Sequence, residues 1–203
     1  MTVKVPSLCV VALAASCGGD GITSAPLGSI PEFEQRLEDL RANAHISAFE
    51  ANMARGYTFT LGGYNPTAYP TYFGAAAGLT SSALDVAAFS MAMDRDALLQ
   101  PATKALAYTP AVSPSGQTFP YGLGWFSTDY QGVRIIWHYG LWTANSSLII
   151  KVPERGLTFV VLADTDGLSV AYPLGQGKLE TSPWARAFLD TFVIGSVPLP
   201  ATL

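Results

Sequence analysis

The apolar positions change period once along the 203-residue chain. Before Tyr121 they recur at helical spacing; after it they form short strand-like runs. Ser29-Ile30-Pro31-Glu32 predicts a helix start, with Ser29 as cap, Pro31 in the first turn and Glu32 closing a capping box. Ile30, Phe33, Leu37 and Leu40 give its apolar stripe, and Glu34, Arg36, Glu38 and Asp39 its solvated face. Ser82-Ala83-Leu84-Asp85 predicts a second start, with Leu84, Ala88, Phe89 and Met93 as the buried face. A third helix is predicted from Pro101 to Tyr108, ended by Pro110. Four strand runs follow: Tyr121–Thr128, Val133–His138, Ser146–Val152 and Thr158–Ala163. Their short separations, with turns at Asp129–Gly132 and Pro153–Gly156, imply antiparallel neighbours. Ser182-Pro183 begins a last helix, with Trp184, Phe188, Leu189 and Phe192 on one side. Helices, then a β-meander, then a closing helix make an α+β fold: an antiparallel β-sheet flanked by helices.

Two segments fall outside this pattern. Residues 1–17 carry one Lys, Lys4, then the apolar run Val5–Ala15 and small residues before Cys17. The run is too short to span a bilayer and resembles a bacterial lipoprotein signal, with Cys17 as the lipidated residue. That reading predicts an exported, periplasmic chain held at the membrane by a lipid anchor. The alternative is a buried first strand in which Cys9, Val10 and Val11 pack. Residues 18–29, rich in Gly, Ser and Pro, read as a flexible linker, 30–193 as the folded domain and 194–203 as a tail. Residues 56–73 hold six aromatics among Gly and Pro and read as a short strand and an irregular loop, packed beneath it or forming a binding rim.

Composition narrows the chemistry. Hydrophobic residues are 49% and charged residues 13%, enough apolar material for a large core. Net charge is −4 with no Lys/Arg cluster, which sets nucleic acid aside as a partner. Both cysteines lie in the first 17 residues, so no disulfide is expected within the domain. Two widely separated His give no metal ligand set, and no cofactor is implied.

Five motifs occur in order: Ala75–Phe89 (AAAGLTSSALDVAAF), Tyr121-Gly122-Leu123-Gly124-Trp125, Trp137-His138-Tyr139-Gly140, Lys151-Val152-Pro153-Glu154, and Leu162–Ser169 (LADTDGLS). Together they resemble the C-terminal half of the β-lactamase-related serine hydrolases, the group of class C β-lactamases, D-alanyl-D-alanine carboxypeptidases and esterases. The resemblance covers roughly residues 50–193 and implies a partial β-lactamase/transpeptidase-like fold. In that family three elements line the active site: Ser-x-x-Lys with the nucleophile, Tyr-x-Asn or a variant with a base, and Lys-Thr-Gly or His-x-Gly on the facing sheet edge. The resemblance makes His138-Tyr139-Gly140 the third element. It implies that His138, Tyr139, Gly140 and Leu141 line the substrate groove. Gly140 would let substrate approach the strand, and the Leu141 N–H would be one oxyanion donor.

The other two elements are missing. Lys4, Lys104, Lys151 and Lys178 follow Met1, Pro101, Leu148 and Gly175 by three positions, so there is no Ser-x-x-Lys. None of the nine Tyr has an Asn two residues later. Ser146 and Ser147 follow His138 but have no agent to activate them. The expectation is a shortened homologue with no complete catalytic set, inactive alone. Two further readings stand beside it: a non-catalytic binding module for peptidoglycan peptides or a protein partner, and a hydrolase completed by a second chain. Ligands would be peptidoglycan peptides, esters or β-lactam-like molecules. Strand 133–138 and the last helix are expected to lie bare where the absent segments would pack, giving marginal stability or self-association.

Overall fold

The computed structural model describes residues 8–14, 53–68 and 79–195. The helix expected at Ser29–Leu40, the linker, Cys17 and residues 196–203 lie outside these residues. The chain divides into two units, Met1–Ser16 with Gly56–Leu203, and Cys17–Arg55. Only 53–55 of the second unit are described.

The first unit is built on a five-stranded antiparallel sheet with order β1-β7-β6-β5-β4. Its strands are β1 (Leu8–Ala14), β4 (Phe126–Tyr130), β5 (Val133–Trp142), β6 (Asn145–Val152) and β7 (Leu157–Ala163). A hairpin of β2 (Tyr57–Thr60) and β3 (Gly63–Pro66) stands apart, tied to the sheet's end where the Tyr57 N–H donates to the Asp164 carbonyl at 2.7 Å. The helices are α1 (Ala83–Asp94), α2 (Pro101–Ala107) and α3 (Pro183–Phe188), the last running on through wider turns at Leu189–Ile194. The meander and closing helix thus fold as the sequence predicts, with β4 shifted late and β5 four residues longer than its predicted end.

Tight turns set the register. Gln131 and Gly132 join β4 to β5 with φ of 52° and 82°, the left-handed pair of a two-residue hairpin. The Gly132 N–H donates to the Asp129 carboxylate at 2.9 Å. From there Phe126 opposes Trp137, Gly140 opposes Ser147, and Ser147 opposes Leu162.

Side chains alternate between two covered faces. One face carries Phe126, Ile135, Trp137, Leu148, Ile150, Phe159 and Val161, and packs on α3 and the loop before it. There Phe159 stacks on Phe188 at 4.9 Å. The opposite face offers Val160, Ile149 and Leu162 to α1, and Ile136 to Ala107 and Tyr108 at the end of α2. Strand β7 is covered from both sides, which explains its unbroken apolar run LTFVVLA. Strand 133–138 is therefore not bare: Ile135, Ile136 and Trp137 are fully buried within this chain, and Phe188 and Leu189 of the closing helix are in the core.

Two helix faces differ from the periodicity. Ser82 caps α1 as expected, accepting from the Asp85 N–H at 3.1 Å and donating to the Asp85 carboxylate at 2.7 Å. The buried face, however, is Ala83, Ala87, Ser90 and Met93, while Leu84 and Phe89 are 64% and 49% exposed. Small residues let the helix backbone come close to the sheet. Apolar residues lie all round α1, so spacing alone does not select the face. In α3 Ser182 caps the Ala185 N–H, and Ala185, Phe188, Leu189 and Val193 turn inward while Trp184 turns out. A further difference concerns Leu8–Ala14. These residues pair along their whole length with β7, Leu8 opposite Ala163 and Ala14 opposite Leu157, which is the strand alternative to an export signal.

A buried ion pair pins α1 to the sheet. Lys151 of β6 is fully buried, and its Nζ reaches Asp94 Oδ1 at 2.9 Å, the Ser90 carbonyl at 3.0 Å and the Ser90 hydroxyl. Ser90 in turn bonds Thr158 of β7 at 3.0 Å. Burial pushes the Lys151 ammonium down and Asp94 pulls it back. Breaking such a pair from one side strands a charge, whereas replacing the buried partner by an apolar chain of similar shape costs less. Asp94→Asn is therefore expected to lower unfolding free energy by about 3 kcal/mol in urea titrations, and Lys151→Met by less. The reverse ranking would refute the pin.

Candidate active-site groove

Strand β5 has ten residues and β4 only five, so pairing between them stops at Trp137 opposite Phe126. Before β4 the chain doubles back: the Gly122 N–H donates to the Trp125 carbonyl at 2.7 Å, and the Ser127 N–H to the Pro120 carbonyl at 2.9 Å. Ser127 thus faces away from β5 and Phe126 faces toward it. Antiparallel alternation then aims the backbone groups of Trp137 at β4, and those of Tyr139 and Leu141 at the open edge beyond. Among the described residues no strand pairs with β5 past Trp137 on that side.

His138, Tyr139, Gly140 and Leu141 all lie on this unpaired half, the first three part-buried and Leu141 exposed. The structure so sets on one strand edge the four residues that the sequence reading expects to line a groove. It adds one that sequence reasoning missed. The Tyr121 hydroxyl lies 2.9 Å from His138 Nε2, with the Tyr121 ring packed edge-on against Phe126 at 4.5 Å. Seventeen residues separate the pair in the chain. The signal was the position of Tyr121 at the head of the Tyr-Gly-Leu-Gly-Trp motif, and the hairpin geometry was needed to read it. Burial pushes the His138 imidazole below its ordinary range, and a hydrogen bond to the Tyr139 backbone partly restores it. A backbone bond that favours the charged ring is one the ring donates to a carbonyl.

Gly140 has a reason other than substrate approach. A Cβ there would collide with the hydroxyl of Ser147 across the ladder. Gly122 is constrained in the same way, since a Cβ would strike the Ala107 and Thr109 carbonyls. The Gly140 carbonyl also accepts from the Ser169 hydroxyl at 3.1 Å, which ties the groove to the Leu162–Ser169 motif. The Tyr139 hydroxyl lies close over Gly175, where a Cβ would come within 2.8 Å of it.

The Ser146 hydroxyl is donated to the Thr165 carbonyl. A Ser–Lys contact does form, between Ser90 and Lys151, sixty-one residues apart. Both residues are fully buried, and the amine is held by Asp94, so no substrate reaches the hydroxyl. Among the described residues no group of three or more His, Cys, Asp or Glu could hold a metal.

The Tyr121–His138 contact sets a spectroscopic expectation. A phenol that donates to Nε2 leaves the proton of neutral His138 on Nδ1. Nitrogen-15 NMR is expected to show the Nδ1–H tautomer at neutral pH and a titration midpoint below that of an ordinary imidazole. Tyr121→Phe should shift the Nε2 resonance and mix the tautomers. An unchanged Nε2 signal in that variant would remove Tyr121 from the site.

Residues 31–175 match the family described as Beta-lactamase. The chain is 31% identical over 168 residues to unguisins hydrolase ungD' of Aspergillus campestris, covering 74% of this chain and 30% of that protein. Over 83 residues it is 28% identical to penicillin-binding protein 4* of Bacillus subtilis, covering 40% of this chain and 18% of that one. Among solved structures it resembles the octameric penicillin-binding protein homologue from Pyrococcus abyssi, with a TM-score of 0.56 at 20% identity, over 73% of this chain and 33% of that chain. The chain thus spans no more than a third of the length of these proteins. A mixed fold of helices on an antiparallel sheet, the ordered motifs and the match over most of its length place this chain in the β-lactamase-related serine hydrolase family.

Proposed function

We propose that this chain carries the sheet-edge half of a β-lactamase-type hydrolase site and turns over no substrate by itself. The observation that carries the reading is a mismatch. The His138–Leu141 edge and its Tyr121 partner are in place, while these 203 residues contain neither Ser-x-x-Lys nor Tyr-x-Asn. An oxyanion donor without an activated hydroxyl can polarise a carbonyl but cannot attack it. Any turnover would need a nucleophile from a second polypeptide. The unpaired half of β5 favours a second reading, a binding module, because a free strand edge accepts an extended peptide by backbone pairing. Peptidoglycan peptides, esters and β-lactam-like molecules fit this groove by family descent.

Labelling with a fluorescent penicillin and a fluorophosphonate tests the reading. No covalent adduct is expected, and one equivalent of acyl group on any serine would overturn it. Saturable muropeptide binding without acylation, weakened by a His138→Ala change, would support the binding module.

Export with lipid attachment at Cys17 is proposed on the N-terminal pattern alone. It competes with β1, because processing before Cys17 would strip Leu8–Ala14 from β7. Intact-mass analysis of the chain from a bacterial host separates the two. Export predicts a diacylated species beginning at Cys17, and an unprocessed chain would reject it.

A further inference from the structure

The sheet face that carries His138 and Gly140 continues onto β6. By strand alternation these two residues point the same way, and the register sets Gly140, Ser147 and Leu162 in one row across β5, β6 and β7. At the far end of the row α1 covers Leu162. At the near end Gly140 presents no side chain, so the row forms a notch that leads from the open edge of β5 to Ser147. The Ser147 hydroxyl leans into it. A Cβ built on Gly140 would collide with Ser147 Oγ while standing 3.6 Å from Ser147 Cβ, so the hydroxyl is turned toward β5. That hydroxyl is also unspent. Ser146 donates to the Thr165 carbonyl, whereas half-buried Ser147 makes no side-chain hydrogen bond among the described residues, and its Oγ is not sealed from solvent.

Reach decides what can use this hydroxyl. Adjacent strands lie about 4.8 Å apart, so an extended peptide paired to the free half of β5 would run about 10 Å from β6. A hydrogen bond spans about 3 Å of that distance and the serine side chain about 2 Å. The remainder, about 5 Å, suits a side chain of glutamine length lying over Gly140. Any larger residue at position 140 would block the path. Charge decides the rest. The notch is bordered by Ile149, Leu162 and His138, whose imidazole burial holds below its ordinary range and so uncharged at neutral pH. A charged end brought there would shed water and meet no opposite charge, whereas an amide pairs with a hydroxyl that both donates and accepts.

We propose that the Gly140–Ser147 notch is a side-chain subsite, in which Ser147 Oγ selects an extended peptide bearing a glutamine-length, uncharged polar side chain beside Gly140. The inference rests on the binding-module reading of the β5 edge and adds the chemistry that the edge prefers. Backbone pairing along β5 accepts any extended chain, and Ser147 discriminates among them.

The test uses the full chain, labelled with nitrogen-15, and blocked peptides of the form acetyl-Val-Thr-X-Thr-Val-amide, with X glutamine, norleucine, glutamate or lysine. Shifts of the Tyr139 and Leu141 backbone amides report edge pairing, and titration gives a Kd for each peptide. The glutamine peptide is expected to bind about fivefold tighter than the norleucine peptide, the effect of one net hydrogen bond, and tighter than either charged peptide. Ser147→Ala should erase that preference and leave norleucine binding unchanged. The variant loses only an unbonded hydroxyl, and an unaltered melting temperature checks that it folds. Peptides that shift both amides without favouring glutamine overturn the subsite and leave the edge reading standing. A preference that survives Ser147→Ala, or tighter binding of a charged peptide, does the same. Peptides that shift neither amide overturn the edge reading and the subsite with it.

Discussion

Burial of β7 on both faces is the constraint from which the rest of this structure follows. A strand with apolar side chains on each side needs a helix above and a helix below. Here α1 supplies one cover through Ala83 and Ala87, and α3 the other through Phe188 and Leu189. With both covers seated, β6 and β5 are held in register by two-residue hairpins and β5 is carried outward to the edge. Tyr139 packs on the border of that core, and the His138–Leu141 stretch is carried with it.

The Lys151–Asp94–Ser90 pin adds orientation to that packing. Small residues allow α1 to slide on the sheet, because alanine contacts discriminate weakly between neighbouring positions. A fully buried ammonium with three acceptors has one satisfactory location. Its gain lies in fixing a helix against a strand more than in net stability.

Much of the fold was legible because its signals are local. Ser82 and Ser182 cap the helices they were expected to cap, and the runs from Val133 to Ala163 appear as three adjacent strands. Helix faces were less legible. Leu84 and Phe89 in α1 and Trp184 in α3 point outward because small residues pack closer than large ones, a preference that periodicity does not register. Leu8–Ala14 reads from sequence as part of an export segment with a strand as the alternative, since both need a short apolar run. Of the candidate site, motif order singles out His138 through Leu141, while the contact from Tyr121 requires knowing where a hairpin turns back. Long-range polar pairs such as Ser90 with Lys151 leave no spacing in the sequence at all.

The difference in length between β4 and β5 has its own consequence. Pairing ends at Phe126 because the chain before it folds back through Pro120 and the Gly122–Trp125 turn. That doubled arm acts as a stop, and among the described residues it leaves a gap in the pairing along the far half of β5. A longer fourth strand would zip the gap shut and fill the cleft with the protein's own backbone. How much of β5 stays without a partner strand is therefore set by the turn that precedes β4.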